Sequence, residues 1–377
     1  MALVLTEEQT MIRDSAEGFF ADAAPVAQLR SLRDAKDADG FSRDVWSRIA
    51  EMGFAGVAIP EDMGGAGLGW VAAGLIQEAI GRNLSVTPFL SSSVLAPAVL
   101  RHATGDAREV LRGIASGSTL VALAAEERPR HAPTHIATRA EPSGNGFKLS
   151  GAKTHVLDGH VADKLIVAAR TGGAENEAGG ITLFLVDAKA AGVSAERRIA
   201  VDSRNTAHLK LDGVQVDGAD VIGAVGEGWP ILEAALDVGR ACLAAELLGV
   251  SSQSFATTVD YLKQREQFGG KIGTFQALQH RAAHLFCEIE LARSVTLRAL
   301  QALDAGDPRA KVFASLAKAK AGQVGQLATN EAVQMHGGIG MTDEYDIGFF
   351  MKRARAAGET FGDHAFHGDR IARLMNY

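Results

Sequence analysis

The segment REQFGGKIGTFQALQH, residues 265–280, sets three glycines between two long stretches of helical texture. Its GGK invites a phosphate-loop reading, but Lys271 is followed by Ile272, where that loop requires Ser or Thr. Downstream, Phe275, Leu278, Leu285, Ile289 and Ala292 recur at helical spacing, and Thr274 is read as the cap of that helix. AGDPRA, residues 305–310, ends it, with Pro308 read as opening the next helix. That helix should run to about His336, where Gly337 and Gly338 stop it. Upstream, a long helix is expected from Trp229, with Pro230 in its first turn. Long helices with such apolar faces form a bundle and leave surface for a partner subunit.

Working back from the bundle, the texture changes between 119 and 226. GFKLSGAKTHVL, DKLIVAAR, GITLFLVDA and AHLKLDGVQV are short, rich in β-branched residues and separated by glycine turns. They predict an antiparallel β domain. Residues 1–118 read as helices again, opening on the capping pattern Thr6-Glu7-Glu8-Gln9. The expected fold class is therefore α+β, with a helical domain at 1–118, a β domain at 119–226 and a helical bundle at 227–377.

Composition narrows the function. With 47% hydrophobic and 22% charged residues in 377, the chain supports folded domains rather than disorder. A net charge of -7 without any Lys/Arg-dense stretch speaks against nucleic acid as a partner. The opening MALVLTEEQT has no basic region or long apolar core, and no apolar run reaches membrane-spanning length, so a cytoplasmic protein without membrane insertion is expected. Cys242 and Cys287 both lie in helical stretches and are expected to be buried thiols. GGAGLG, residues 64–69, spaces its glycines as GxGxG, lacks a surrounding strand–helix–strand unit, and is read as an irregular turn. His280 and His284 are four apart, but Arg281 stands where a zinc protease needs Glu; a polar helix face is expected there, and no metal.

Five phrases in order carry more than any one alone: PEDMGGAG (60–67), LSGAKTHVLDG (149–159), LDGVQV…GAVGEGW (211–229), REQFGGKIGTFQALQH (265–280) and AVQMHGGIGMTDEY (332–345). Together they resemble the acyl-CoA dehydrogenase family along essentially the whole chain. The resemblance implies an N-terminal α domain, a central β domain and a C-terminal four-helix bundle. It implies FAD between the β domain and the bundle, in dimers or tetramers whose subunits hold the far end of each other's cofactor. It also implies an acyl-CoA substrate and an electron-transfer flavoprotein or similar acceptor as partners. Arg265 then supplies a cationic fork for the FAD pyrophosphate. Gln267, Phe268 and Gln276 supply amide bonds and an apolar wall, and Gln334, Gly337 and Gly338 a close backbone approach. Asp237 and Arg240, three apart on one helix face, match the family's D-x-x-R grip on the CoA chain.

The family reaction removes a proton from the acyl Cα, so it needs a carboxylate there and donors on the thioester oxygen. The usual Glu follows an R-x-A-R/K stretch, and in KRARAAGETFGDHAFHGDRIAR (352–373) Phe361 falls on it. The other family location is the residue before Arg240, here Gly239. Asp363 is the nearest carboxylate that could substitute, but the reading favoured for it is the N-cap of a helix from about 364. Only the backbone N–H of position 361 survives as a thioester donor whatever the side chain. In the β domain, Glu126 falls within the family's T-E-P and His155 on the Trp of W-[IV]-[TS]. Either both are polar contacts of a rebuilt flavin-ring site, or flavin binding is weakened. The readings left open are a dehydrogenase, alone or as the base-lacking subunit of a hetero-oligomer with a Glu-bearing homologue; a flavin monooxygenase of the same fold; and a non-catalytic binding subunit.

Overall fold

The structure, a computed structural model, describes residues 3–377. Helices α1 (Glu7–Ala23), α2 (Val26–Ala35), α3 (Arg43–Glu51), α4 (Gly69–Asn83), α5 (Ala96–Leu100) and α6 (Gly105–Ala115) come first. Strands β1 (Val121–Ala124), β2 (Arg139–Ser143), β3 (Gly146–Leu157), β4 (Lys164–Arg170), β5 (Ile181–Asp187), β6 (Val193–Ile199), β7 (Asn205–Asp217) and β8 (Val221–Ile222) follow. Then come α7 (Trp229–Gln264), the hairpin β9 (Glu266–Gln267) and β10 (Gly270–Lys271), α8 (Gln276–Asp304), α9 (Ala310–His336), α10 (Ile347–Glu359) and α11 (His364–Leu374). The fold is the expected α+β order of helices, sheet and helices.

Two compact units partition the chain. One gathers residues up to Asp34, Trp70–Val86 and Arg240–Tyr377; the other holds Ala35–Gly69 and Thr87–Gly239. In the first, α1 starts on the predicted capping box: Thr6 accepts from Gln9 N and Gln9 returns a bond to Thr6 N. Helix α4 packs on α7 through glycines. A Cβ at Gly249 would lie 2.0 Å from the Glu78 carbonyl, and one at Gly81 2.1 Å from that of Glu246. Between them sits a buried ion pair, Arg353 to both oxygens of Glu246 at 2.7 and 2.9 Å, with Gln77 donating to the same carboxylate at 2.6 Å. Full hydrogen bonding is what makes such a buried charge tolerable.

In the second unit the strand order is β6-β7-β3-β2-β4-β5-β8, with β1 added on β4. The pairing is mostly antiparallel, but β1 runs parallel to β4, so the expected purely antiparallel domain is corrected to a mixed sheet. The alternating pattern of β7, buried at Ala207, Leu209 and Leu211, meets Val156, Phe184 and Val186 in one core. Lys153 is wholly buried and donates to Glu127 at 2.6 Å; burial pulls its ammonium pKa down, and the facing carboxylate opposes this.

Three local expectations are corrected. Thr274 does not cap α8: its hydroxyl donates to the Lys271 carbonyl at 2.7 Å, and Phe275 precedes the helix without a side-chain cap. Pro308 precedes α9 without opening it, because Asp307 organises that turn by accepting from Arg309 N at 2.9 Å. Cys242 is buried as expected, but Cys287 is exposed, on the outer side of α8. The glycines at 64, 67 and 69 all have positive φ, which accounts for the irregular turn before α4.

Candidate functional site

Within the first unit, residues expected in the FAD shell converge on one small apolar cluster. Leu262 at the end of α7, Ile272 after the hairpin and Met335 near the end of α9 pack together, with Tyr261 and Leu278 against them. Around this cluster Arg265, Gln267, Phe268, Gln276, Gln334, Gly337 and Gly338 are all exposed. Phe268 stands 91% exposed at a left-handed φ of 55°, supported only edge-on by the Phe275 ring at 6.2 Å. So exposed an aromatic asks for a covering partner. The end of α9 is fixed from behind: Tyr261 donates to the His336 carbonyl at 3.3 Å, and its ring lies 4.3 Å from the imidazole. His336 is buried, and burial lowers its pKa. Gly337 leaves the helix at φ 64° and ψ -140°, and no atom lies within 4 Å of the Cβ position at either glycine. An arginine fork, three amide side chains and open backbone suit a phosphate-bearing, ring-bearing group such as FAD.

A second focus is the turn between α10 and α11. Phe361 adopts φ 59° and is 8% exposed; Gly362 follows at φ 106°. Asp363 caps α11, accepting from Phe366 N at 2.8 Å, so the cap expectation holds and one of its oxygens is committed there. Arg240, on α7 and 1% exposed, donates from Nε to the Phe361 carbonyl at 3.3 Å, with its guanidinium 5.7 Å from the Phe366 ring centre. Asp237, one turn earlier on α7, is buried as well. On the same turn the Lys318 ammonium donates to the carbonyls of Gly358 at 2.8 Å and Gly362 at 2.9 Å. Lys318 is 1% exposed, and burial, then Arg240, push its pKa down to about 7. The sequence reading missed this lysine. Its signal was there: Ala314, Ala317, Lys318 and Ala321 share the core-facing spacing of α9.

In the second unit, the segment after β1 meets the irregular part of β3. Thr154 N donates to the Glu126 carbonyl at 2.8 Å, and the β3–β7 register shifts between Lys153 and Val156. His155 sits in that shift at φ 51°, exposed, with its ring 6.2 Å from that of His208. Glu126 is turned inward to its own loop, bonded to His131 and accepting from Ala132 N. Of the two expected ring contacts, His155 therefore presents its side chain outward and Glu126 does not. His280 and His284 are exposed, and no group of metal-ligating side chains occurs among the described residues. Nor, among them, is any helix long and apolar enough to cross a membrane.

Family models for the N-terminal, middle and C-terminal domains of acyl-CoA dehydrogenase match residues 6–118, 122–214 and 226–375. The chain is similar to a 3-(aryl)acrylate reductase of Clostridium sporogenes, 30% identical over 92% of each protein. Among solved structures it resembles the steroid ACAD Tcur3481-Tcur3483, with TM-score 0.89, 34% identity and 98% of both chains covered. It also resembles the ChsE4-ChsE5 complex from Mycobacterium tuberculosis, with TM-score 0.90, 26% identity, and 100% of this chain and 99% of that one covered.

Proposed function

Because the chain belongs to the acyl-CoA dehydrogenase family of flavoprotein oxidoreductases, we propose that it is the base-lacking subunit of a heteromeric, FAD-dependent acyl-CoA dehydrogenase. The observation that supports this reading is Phe361: the turn grasped by Arg240 holds a buried phenylalanine at the position that motif spacing assigns to the family's usual carboxylate. Gly239 leaves the alternative location empty too. Asp363 is a weak substitute, being shorter, two residues along and engaged as a cap.

When bound, FAD would supply a hydride acceptor for the acyl Cβ. This chain's part is to bind and orient. Arg265 would meet the pyrophosphate charge, the amides of Gln267, Gln276 and Gln334 would bond the cofactor's polar groups, and Phe268 would cover an apolar face. Gly337 and Gly338 let it approach the backbone. Asp237 and Arg240 hold the acyl-CoA chain, and the N–H of Phe361 donates to the thioester oxygen as negative charge grows there. The proton at the acyl Cα is left to a carboxylate of another subunit, which agrees with the two-component names of two solved relatives. His155 is the candidate polar contact for a flavin ring, an electron-transfer flavoprotein or similar protein would be the acceptor, and the domain division is that of 1–118, 119–226 and 227–377.

The test is flavin bleaching by a panel of acyl-CoAs, for the chain alone and after reconstitution with a Glu-bearing homologue. Turnover should need both. A homo-oligomer that reduces its FAD at about 1–10³ per second would overturn the proposal.

A further inference from the structure

Three backbone carbonyls, one in the last turn of α10 and two in the turn that follows it, point at two buried cations carried by other helices. Gly358 and Gly362 receive Lys318 from α9, and Phe361 receives Arg240 from α7. These bonds flank the left-handed φ of 59° at Phe361, a conformation that costs a non-glycine residue free energy when unsupported, and the φ of 106° at Gly362, which glycine adopts freely. We propose that Lys318 is a positioning residue: its ammonium clamps the turn 358–362, so that its charge sets the geometry of position 361. The inference rests on the functional reading only for what that turn presents to a substrate.

The surroundings make the clamp sensitive to proton concentration. Arg240 on α7 and Arg353 on α10 oppose the ammonium; Glu359 on α10 and Asp363 in the turn favour it. On α11, His367 is buried, and Arg370 faces the same stretch of α9, bonding Ser315 Oγ at 2.7 Å. Burial outweighs the favourable partners, and the ammonium loses its proton near pH 7. A neutral amine still has two N–H donors, but its bonds lack charge assistance, the stronger kind. Above that pH an opening of the turn that leaves Lys318 buried on α9 costs less, whereas global unfolding, which returns the lysine to water, costs more. A clamp that is merely structural would not follow this titration.

Amide hydrogen exchange across 359–363 reads the turn without any substrate. After correction for intrinsic exchange, protection in the wild-type protein should fall roughly 10- to 30-fold between pH 6 and pH 8.5, the loss expected for two bonds that lose charge assistance. Lys318→Arg should remove that dependence, since guanidinium stays charged throughout. Lys318→Met should be poorly protected at both pH values. In the reconstituted, Glu-bearing assembly, the rate of flavin bleaching should follow the same titration in wild type and lose it in Lys318→Arg. NMR of lysine labelled with 13C at Cε should show one resonance titrating near pH 7, absent in Lys318→Met. If that variant fails to fold, Lys318→Arg decides by the slope of its protection against pH. Unchanged protection in Lys318→Met, or no lysine titrating below about pH 9, overturns the proposal. An assembly that never bleaches overturns the function proposed above and leaves the exchange and NMR arms to decide this one.

Discussion

Replacing Phe361 by glutamate should convert this chain from a poor catalyst into a working one. Phe361 is 8% exposed, so losing its ring forfeits about 2–3 kcal/mol of apolar burial. Taking a carboxylate out of water adds a penalty of several kcal/mol. Two cations already bound to this turn offset part of that: Arg240 on the residue's own carbonyl at 3.3 Å, and Lys318 on the carbonyl that follows at 2.9 Å. A unit charge about 5 Å away is worth roughly 3 kcal/mol at the effective dielectric of such sites. The variant should fold, less stable by about 2–4 kcal/mol, within the usual range for a core substitution. A positioned general base contributes about 10²–10⁴ in rate, and the FAD-bleaching rate should rise by that factor with at least one acyl-CoA of a panel. Phe361→Gln provides the control, matching the shape without the basicity. The reasoning is refuted if Phe361→Gln rises as much as Phe361→Glu, or if the wild type alone already reduces its flavin at enzyme-like rates.

Arg265→Ala should lower FAD occupancy of the purified protein while leaving the fold intact, as measured by flavin absorbance per chain and by circular dichroism; unchanged occupancy removes Arg265 from the cofactor shell. Gly249→Ala should destabilise by about 1–3 kcal/mol in denaturant titrations, because its Cβ would lie 2.0 Å from the Glu78 carbonyl. By contrast, Gly322→Ala, with nothing within 4 Å inside α9, should stabilise by up to about 1 kcal/mol; equal effects at both sites would contradict the close α4–α7 packing. Lys318 gives a pH dependence of definite sign. Its pKa falls from 10.5 to about 7 on folding, so between those values the unfolded chain binds more protons and stability rises with pH. The difference in unfolding free energy between wild type and Lys318→Met should shift in favour of wild type by about 1.4 kcal/mol per pH unit from pH 7 to 9. A difference independent of pH would show that the lysine does not titrate there.

Much of the architecture was legible in the chain because it is written in short-range physics. The capping box at Thr6, the stop of α9 at Gly337 and the start of α11 at Asp363 each depend on atoms within four residues. The change of period from 3.6 to 2 and back marks the sheet between its helices. Where single positions were misjudged, a competing local bond won: Thr274 turned back to Lys271, and Asp307 organised the turn that Pro308 was expected to open.

The site divides in the same way. Residue types alone nominated Arg265, Gln334 and the paired glycines as cofactor contacts and put Phe361 on the family's carboxylate position, because those readings need only identities at fixed spacing. What they cluster around required packing: Met335 lies far in sequence from Leu262 and Ile272 and meets them only once the helices assemble. Burial was decided at the same level, so Cys287 faces outward on α8 while Cys242 is enclosed. So was the pairing of Glu246 with Arg353 across 107 residues, and of Lys318 with the carbonyl of Gly362 across 44. A charge inside a core leaves only a faint mark on a sequence, a lysine among alanines on one helix face. Its partner, its desolvation and its pKa are set by whatever other helices bring to that face, and only the folded chain brings them there.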